Sequence, residues 1–100
     1  MARRVFLSPA ATRDLGIIRA WLGQPGAGPR AKERARRIAR VLRSLAERPF
    51  LGHPGDEPGT RELVVEQHTI IYQVENDTGL LQEAGDVDVL RVWMPRQNRS

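Results

Sequence analysis

Few side chains in this 100-residue sequence can exchange a proton near or above neutral pH. They are His53, His68 and, at higher pH, Tyr72 and Lys32. His53 stands three residues before Asp56 in a loop, and His68 stands at a hairpin turn. A metal site would need these distant groups to converge, so none is assigned. No spacing supports a Ser/His/Asp triad. The glycines from Gly52 to Gly59 precede no helix, unlike those of a phosphate-binding loop. Tyr72 lies in an apolar strand row, which implies a buried ring with its hydroxyl satisfied at the rim. The lack of cysteine excludes disulfides, thiol chemistry and cysteine zinc sites, and fits a reducing cytoplasm.

Cations are plentiful instead. Lys and Arg number 16 against 12 Asp and Glu, a net charge of +4, and Lys32 is the lone lysine. Such a balance favours an acidic partner: a nucleic acid, a nucleoprotein or an acidic protein. Arg91 and Trp93 share one strand face, the kind of pair found at interfaces. With Arg96 and Arg99 they make a basic C-terminal end. Arg61 can contact a target or pair with Glu62 or a neighbouring strand carboxylate. Arg30, Arg34 and Arg37 form one row on a helix, and Lys32, Arg36, Arg40 and Arg43 form another, opposed nearby only by Glu33 and Glu47. These rows read either as a docking surface or as a solvated face whose long stems cover core edges. Trp21 reads as core or interface.

The elements that must position these groups follow from periodicity. Arg4 to Leu7 is a short strand. Ser8 then caps a helix with Pro9 at its first position, where a missing N–H costs nothing. Ala11, Leu15, Ile18 and Leu22 fall on one helical face, widened by Ile17 and Trp21. Gly23, Pro25, Gly26 and Gly28 end the helix. A second helix is expected from about Pro29 to Glu47, with Ala31, Ala35, Ile38, Leu42 and Leu45 inward. The short connection makes the pair an antiparallel hairpin.

Arg48 to Gly59 is ordered-turn composition. Gly59 to Val74 reads as a β-hairpin, with Leu63 and Val65 on one strand face and Ile70, Tyr72 and Val74 on one face of the next. Asn76 to Gly79 is a turn, and Leu80 to Gly85 is a loop or an extended lead-in. Val87 to Met94 is the last strand. Alternation puts Val87, Val89, Arg91 and Trp93 on one face and Asp88, Leu90, Val92 and Met94 on the other, without deciding which meets the helices. Pro95 stops it. The expected fold is one α+β domain over residues 1–100, in the order β-α-α-β-β-β, with the helical hairpin packed on an antiparallel sheet. No run spans a membrane, and the basic start is cut short by Pro9, Arg13 and Asp14, so it is not a secretory signal.

Several pieces then stand in a specific order: Leu7-Ser8-Pro9-Ala10-Ala11 with Asp14-Leu15; Arg48-Pro49 with Gly52 and Pro54-Gly55; Gly59-Thr60-Arg61-Glu62-Leu63; Ile70-Ile71-Tyr72; and Val89-Leu90-Arg91-Val92 with Arg96-Gln97. Over about residues 4–97 this pattern resembles the RelE/ParE superfamily of toxins from type II toxin–antitoxin pairs, and its ParE branch in particular. The resemblance implies a cytoplasmic toxin, of the kind tied to plasmid stabilisation, that inhibits DNA gyrase by binding it. It also implies neutralisation by a ParD-like ribbon-helix-helix antitoxin, in a hetero-oligomer, whose C-terminal segment lies over the helical hairpin and the sheet edge. Contact with DNA is expected only through such a complex, and no cofactor is implied.

The nuclease branch of the superfamily resembles a ribosome-dependent mRNA endonuclease. It supplies basic residues on the second and third strands, an arginine ending the last strand and a tyrosine or histidine in the tail. RNA cleavage needs such groups to take a proton, stabilise charge and protonate the leaving oxygen. Here those positions hold Thr60, Arg61 and Glu62, then Thr69, and the tail is Gln97, Asn98, Arg99 and Ser100; only Arg96 fully matches. No catalytic residue is therefore assigned. Target contact is expected of Arg61, Arg91, Trp93, Arg96 and Arg99, and antitoxin contact of Trp21, Arg34, Arg37 and Arg40. A RelE-like endoribonuclease and a non-toxic basic binding protein are the alternatives.

Overall fold

The computed structural model of the protein describes residues 3–95. Its elements run β1 (Val5–Leu7), α1 (Pro9–Leu22), α2 (Gly28–Ser44), β2 (His53–Pro54), β3 (Arg61–Val65), β4 (His68–Val74), a 3-10 turn (Leu81–Glu83) and β5 (Val87–Trp93). The strands form one sheet in the order β1-β5-β4-β3-β2. Strands β2 to β5 pair antiparallel as neighbours, whereas β1 lies parallel to β5, so the sheet is mixed, not wholly antiparallel as expected. The whole chain separates β1 from β5, so no tight turn dictates their relative direction.

Ser8 starts α1 as its sequence context predicts. The Ser8 hydroxyl accepts from Ala11 N–H at 2.9 Å and donates to the Leu90 carbonyl at 2.7 Å. One residue thus caps the helix and ties it to the sheet. Ala11, Leu15, Ile18 and Leu22 are buried, facing Ile38, Leu42 and Leu45 from the second helical segment and Ile70, Tyr72, Val74, Val87, Val89 and Val92 from the sheet. Helix α2 ends at Ser44, three residues short of the expected Glu47. Its last turn tightens instead: Leu45, Ala46 and Glu47 donate back three residues to Leu42, Arg43 and Ser44. Arg3 binds this end, donating to the carbonyls of Ala46, Leu81 and Ala84 at 2.6, 2.8 and 3.0 Å.

The last strand resolves its ambiguous faces by breaking its own alternation. Tyr72 pairs with Val89 but Ile71 pairs with Arg91, so Leu90 is an extra residue. This bulge moves the buried set from Val87 and Val89 to Val92. Neither face of the simple alternation is wholly inward.

Candidate functional site

Beyond β1, the edge of β5 has no strand partner, and the start of α1 takes that place. Ser8 N–H donates to Val89 O at 2.9 Å, and Val92 N–H donates to the Asp14 carboxylate at 2.9 Å. The same carboxylate takes a two-pronged bond from Arg91, Nε at 2.8 Å and Nη2 at 3.0 Å. Burial alone would raise the Asp14 carboxyl. The bonds from Arg91 and Val92, with the Arg91 charge, outweigh it and hold Asp14 below its ordinary value. The Arg91 guanidinium also lies 4.0 Å from the centroid of the Trp93 ring, a cation–π contact. Trp93 Nε1 is buried without a hydrogen-bond partner among the described residues.

Arg61 sits elsewhere. Its strand position pairs with Tyr72, while Arg91 pairs with Ile71, so their rows fall on opposite faces of the sheet. Arg61 donates to both Asp77 oxygens at 2.8 and 2.9 Å and to Gly52 O at 2.7 Å, and its guanidinium lies 4.9 Å from the Phe50 ring centroid. It ties the Arg48–Gly59 loop to the turn after β4. Tyr72 completes that joint. Its hydroxyl donates to Pro49 O and accepts from Gly52 N–H, both at 2.8 Å, and burial raises its pKa. A Cβ on residue 52 would stand 2.7 Å from Glu62 O and 2.9 Å from the Tyr72 hydroxyl, so glycine is required there.

On α2, Arg34 and Arg37 face Glu66 of the β3–β4 turn at 3.7 and 3.5 Å, and Arg36 and Arg40 face Glu33 at 3.6 and 3.2 Å. Arg30, Glu33, Arg34, Arg37 and Glu66 line a cleft of about 260 Å³. Trp21 is 58% exposed on α1. Arg96 and Arg99 lie outside the described residues.

A separate groove of about 170 Å³ runs between β1 and the helical hairpin. Val5, Leu7, Leu15, Ala39 and Leu42 line it, and Arg19 and Arg43 stand with them. It opens at the β1 edge of the sheet, where Phe6 and Leu7 are exposed. The resemblance placed an antitoxin segment over the hairpin and the sheet edge, where this groove lies, but assigned that contact to none of the groove's residues and gave Asp14 no role. Two signals were present in the sequence: the apolar pair Phe6 and Leu7 in a short strand, and a carboxylate beside Leu15 at the margin of the helical stripe.

Two of the proton-exchanging groups lie beneath these surfaces, Tyr72 joined to the Arg61 loop through Gly52 and His68 joined to Glu66. Tyr72 is fully buried, and His68 is buried with Nδ1 2.7 Å from Glu66 O. His53, at the opposite sheet edge, has Nδ1 3.0 Å from Pro54 O. Among the described residues no cluster of His, Asp and Glu could hold a metal, and no helix is long and apolar enough to cross a membrane.

Residues 5–99 match the family model described as the ParE toxin of the type II toxin–antitoxin system parDE. The chain belongs to the ParE toxin family. Its fold agrees with that of a solved chain from the chromosomal ParDE system of P. aeruginosa, with a TM-score of 0.70, 17% identity, and 94% of this chain and 97% of that one covered. A chain of the RelBE2 toxin–antitoxin complex of Mycobacterium tuberculosis gives a TM-score of 0.57, 19% identity, and coverage of 93% and 98%. No curated protein matches. Two helices on a five-stranded mixed sheet are thus common ground between this ParE-family toxin and both neighbours.

Proposed function

We propose that this toxin inhibits DNA gyrase by binding it in the cytoplasm, and that a ParD-like ribbon-helix-helix antitoxin holds it inactive in a hetero-oligomer. The observation that carries the reading is the ParE match over residues 5–99. The disposition of its side chains supports binding over chemistry. Arg61 is held by Asp77 and Gly52, Arg91 by Asp14, and Thr69 stands where the nuclease branch has a cation. A guanidinium fixed by carboxylate and carbonyl positions neighbours well but accepts no proton.

The antitoxin segment occupies the groove between β1 and the helices. An amphipathic segment can bury apolar side chains on Leu7, Leu15, Ala39 and Leu42 and offer carboxylates to Arg19 and Arg43. Such a segment orders on binding. Trp21 extends this contact along α1, Arg91, Trp93, Arg96 and Arg99 serve the target side, and Arg61, on the opposite face of the sheet, holds its own loop.

A supercoiling assay tests the proposal. Micromolar toxin should block supercoiling of relaxed plasmid by gyrase, and an equimolar amount of the neighbouring antitoxin should restore it. Unimpeded supercoiling, together with ribosome-dependent mRNA cleavage that is lost on Arg96→Ala, would move the assignment to the endoribonuclease class.

A further inference from the structure

The charge of this chain is not spread over its surface. Helix α2 carries seven basic residues and one acidic residue, a net of +6, whereas the whole chain is +4. Everything outside one helix is therefore net negative by two. All seven basic side chains of α2 (Arg30, Lys32, Arg34, Arg36, Arg37, Arg40 and Arg43) are exposed. They stand along a helix of 17 residues, about 25 Å long at 1.5 Å per residue.

We infer that the outer face of α2 is a docking surface for the phosphate backbone of duplex DNA. Three features favour this partner over an acidic protein. First, the face has no apolar anchor. Among the described residues the exposed large hydrophobic ones are Phe6, Leu7, Ile17, Trp21, Val64, Leu80 and Leu81, and none lies on α2. A protein interface needs a desolvated apolar centre, whereas a DNA interface is polar and strongly positive. Second, six of the seven cations are arginine, whose planar fork matches phosphate oxygens in pairs. Third, their internal ion pairs are loose except for one hydrogen bond from Arg40 to Glu33. Glu66 stands 3.7 and 3.5 Å from Arg34 and Arg37, Glu33 stands 3.6 and 3.2 Å from Arg36 and Arg40, and Arg30, Lys32 and Arg43 have no ion pair among the described residues. The guanidinium groups are oriented while most of their N–H groups stay available to a ligand. Glu66, on the turn beside the cleft of about 260 Å³, competes with an incoming phosphate.

The inference departs from two expectations, that Arg34, Arg37 and Arg40 meet the antitoxin and that the chain meets DNA only through a complex. The choice of DNA over RNA rests on the gyrase reading. In that setting, α2 would hold the DNA that gyrase presents.

Fluorescence anisotropy of a labelled random-sequence duplex, titrated with the purified toxin between about 50 and 200 mM salt, reads the contact directly. Saturable binding is expected, with a log–log salt slope of about −4 or steeper. The triple substitution Lys32→Gln/Arg36→Gln/Arg40→Gln should weaken binding at least about tenfold and make the slope shallower by about three. Glu66→Gln and Glu33→Gln should each tighten it about threefold, because a competing carboxylate is gone. These two gains decide the matter even if the triple variant folds poorly. No binding at low salt, equal binding by a folded triple variant, or tighter binding of polyglutamate or single-stranded RNA would overturn the inference. Gyrase is absent from the assay, so the two proposals fail separately. Inhibited gyrase with no DNA binding would remove this one alone, and DNA binding without inhibition would remove the other alone.

Discussion

At β5, one carboxylate stands in for a missing strand. Asp14 satisfies Val92 N–H and clamps Arg91, so its loss leaves a backbone donor and a guanidinium without their acceptor. Asp14→Ala should cost about 1–2 kcal/mol, since bonds to charged groups exceed neutral ones but Arg91 is partly exposed. The pH dependence has a fixed sign. The folded-state carboxyl lies below its ordinary value, so its contribution is complete above that ordinary value and is lost as pH falls through the lower folded value. Urea unfolding of the parent and of Asp14→Ala should therefore differ at neutral pH and converge on acidification below about pH 4. A constant gap would show that Asp14 acts through packing alone. Tyr72→Phe strips the hydroxyl from Pro49 O and Gly52 N–H, both inside the structure. Leaving them unsatisfied should cost about 2 kcal/mol, or roughly 10 °C in Tm for a domain of this size. Thermal melting checks it, and an unchanged Tm would mean that water replaces the hydroxyl.

At the scale of elements, the helices were legible because their signals are local. Ser8-Pro9 fixes a start, and Leu15, Ile18 and Leu22 recur with the helical period. The hairpin was legible from its β-branched runs. What escaped depends on partners distant in sequence. The two-residue β2 exists only because Tyr72 and Arg61 pin its loop against β3. The Leu90 bulge is invisible to alternation, because an inserted residue changes no residue type. The site was less legible for the same reason. Arg61 and Arg91 looked like companions, but β4 registers them on opposite faces and each is tied to its own carboxylate. The groove at β1 is a property of three elements and of no single segment. It carries its own prediction. Leu7→Asp with Arg19→Glu should lower antitoxin co-purification at least about tenfold, since it removes apolar contact and reverses a charge, while leaving Tm nearly unchanged because Leu7 is 40% exposed. Full retention of the antitoxin would place its segment elsewhere.

At the scale of the molecule, the proposed functions divide among surfaces. The sheet and its two struts, Arg61–Asp77 and Arg91–Asp14, set the shape. The groove beside β1 suits an amphipathic segment, and α2 holds the net charge. On the proposed reading, injury to a cell follows from occupation of a target. The most direct measurement is the trapping of gyrase on DNA. Gyrase and supercoiled plasmid are incubated with the toxin, then treated with detergent and protease. The account predicts linear plasmid that rises with toxin, requires gyrase and disappears when antitoxin is added first. Plasmid that stays intact at micromolar toxin, while a translation extract loses its mRNA, would contradict it.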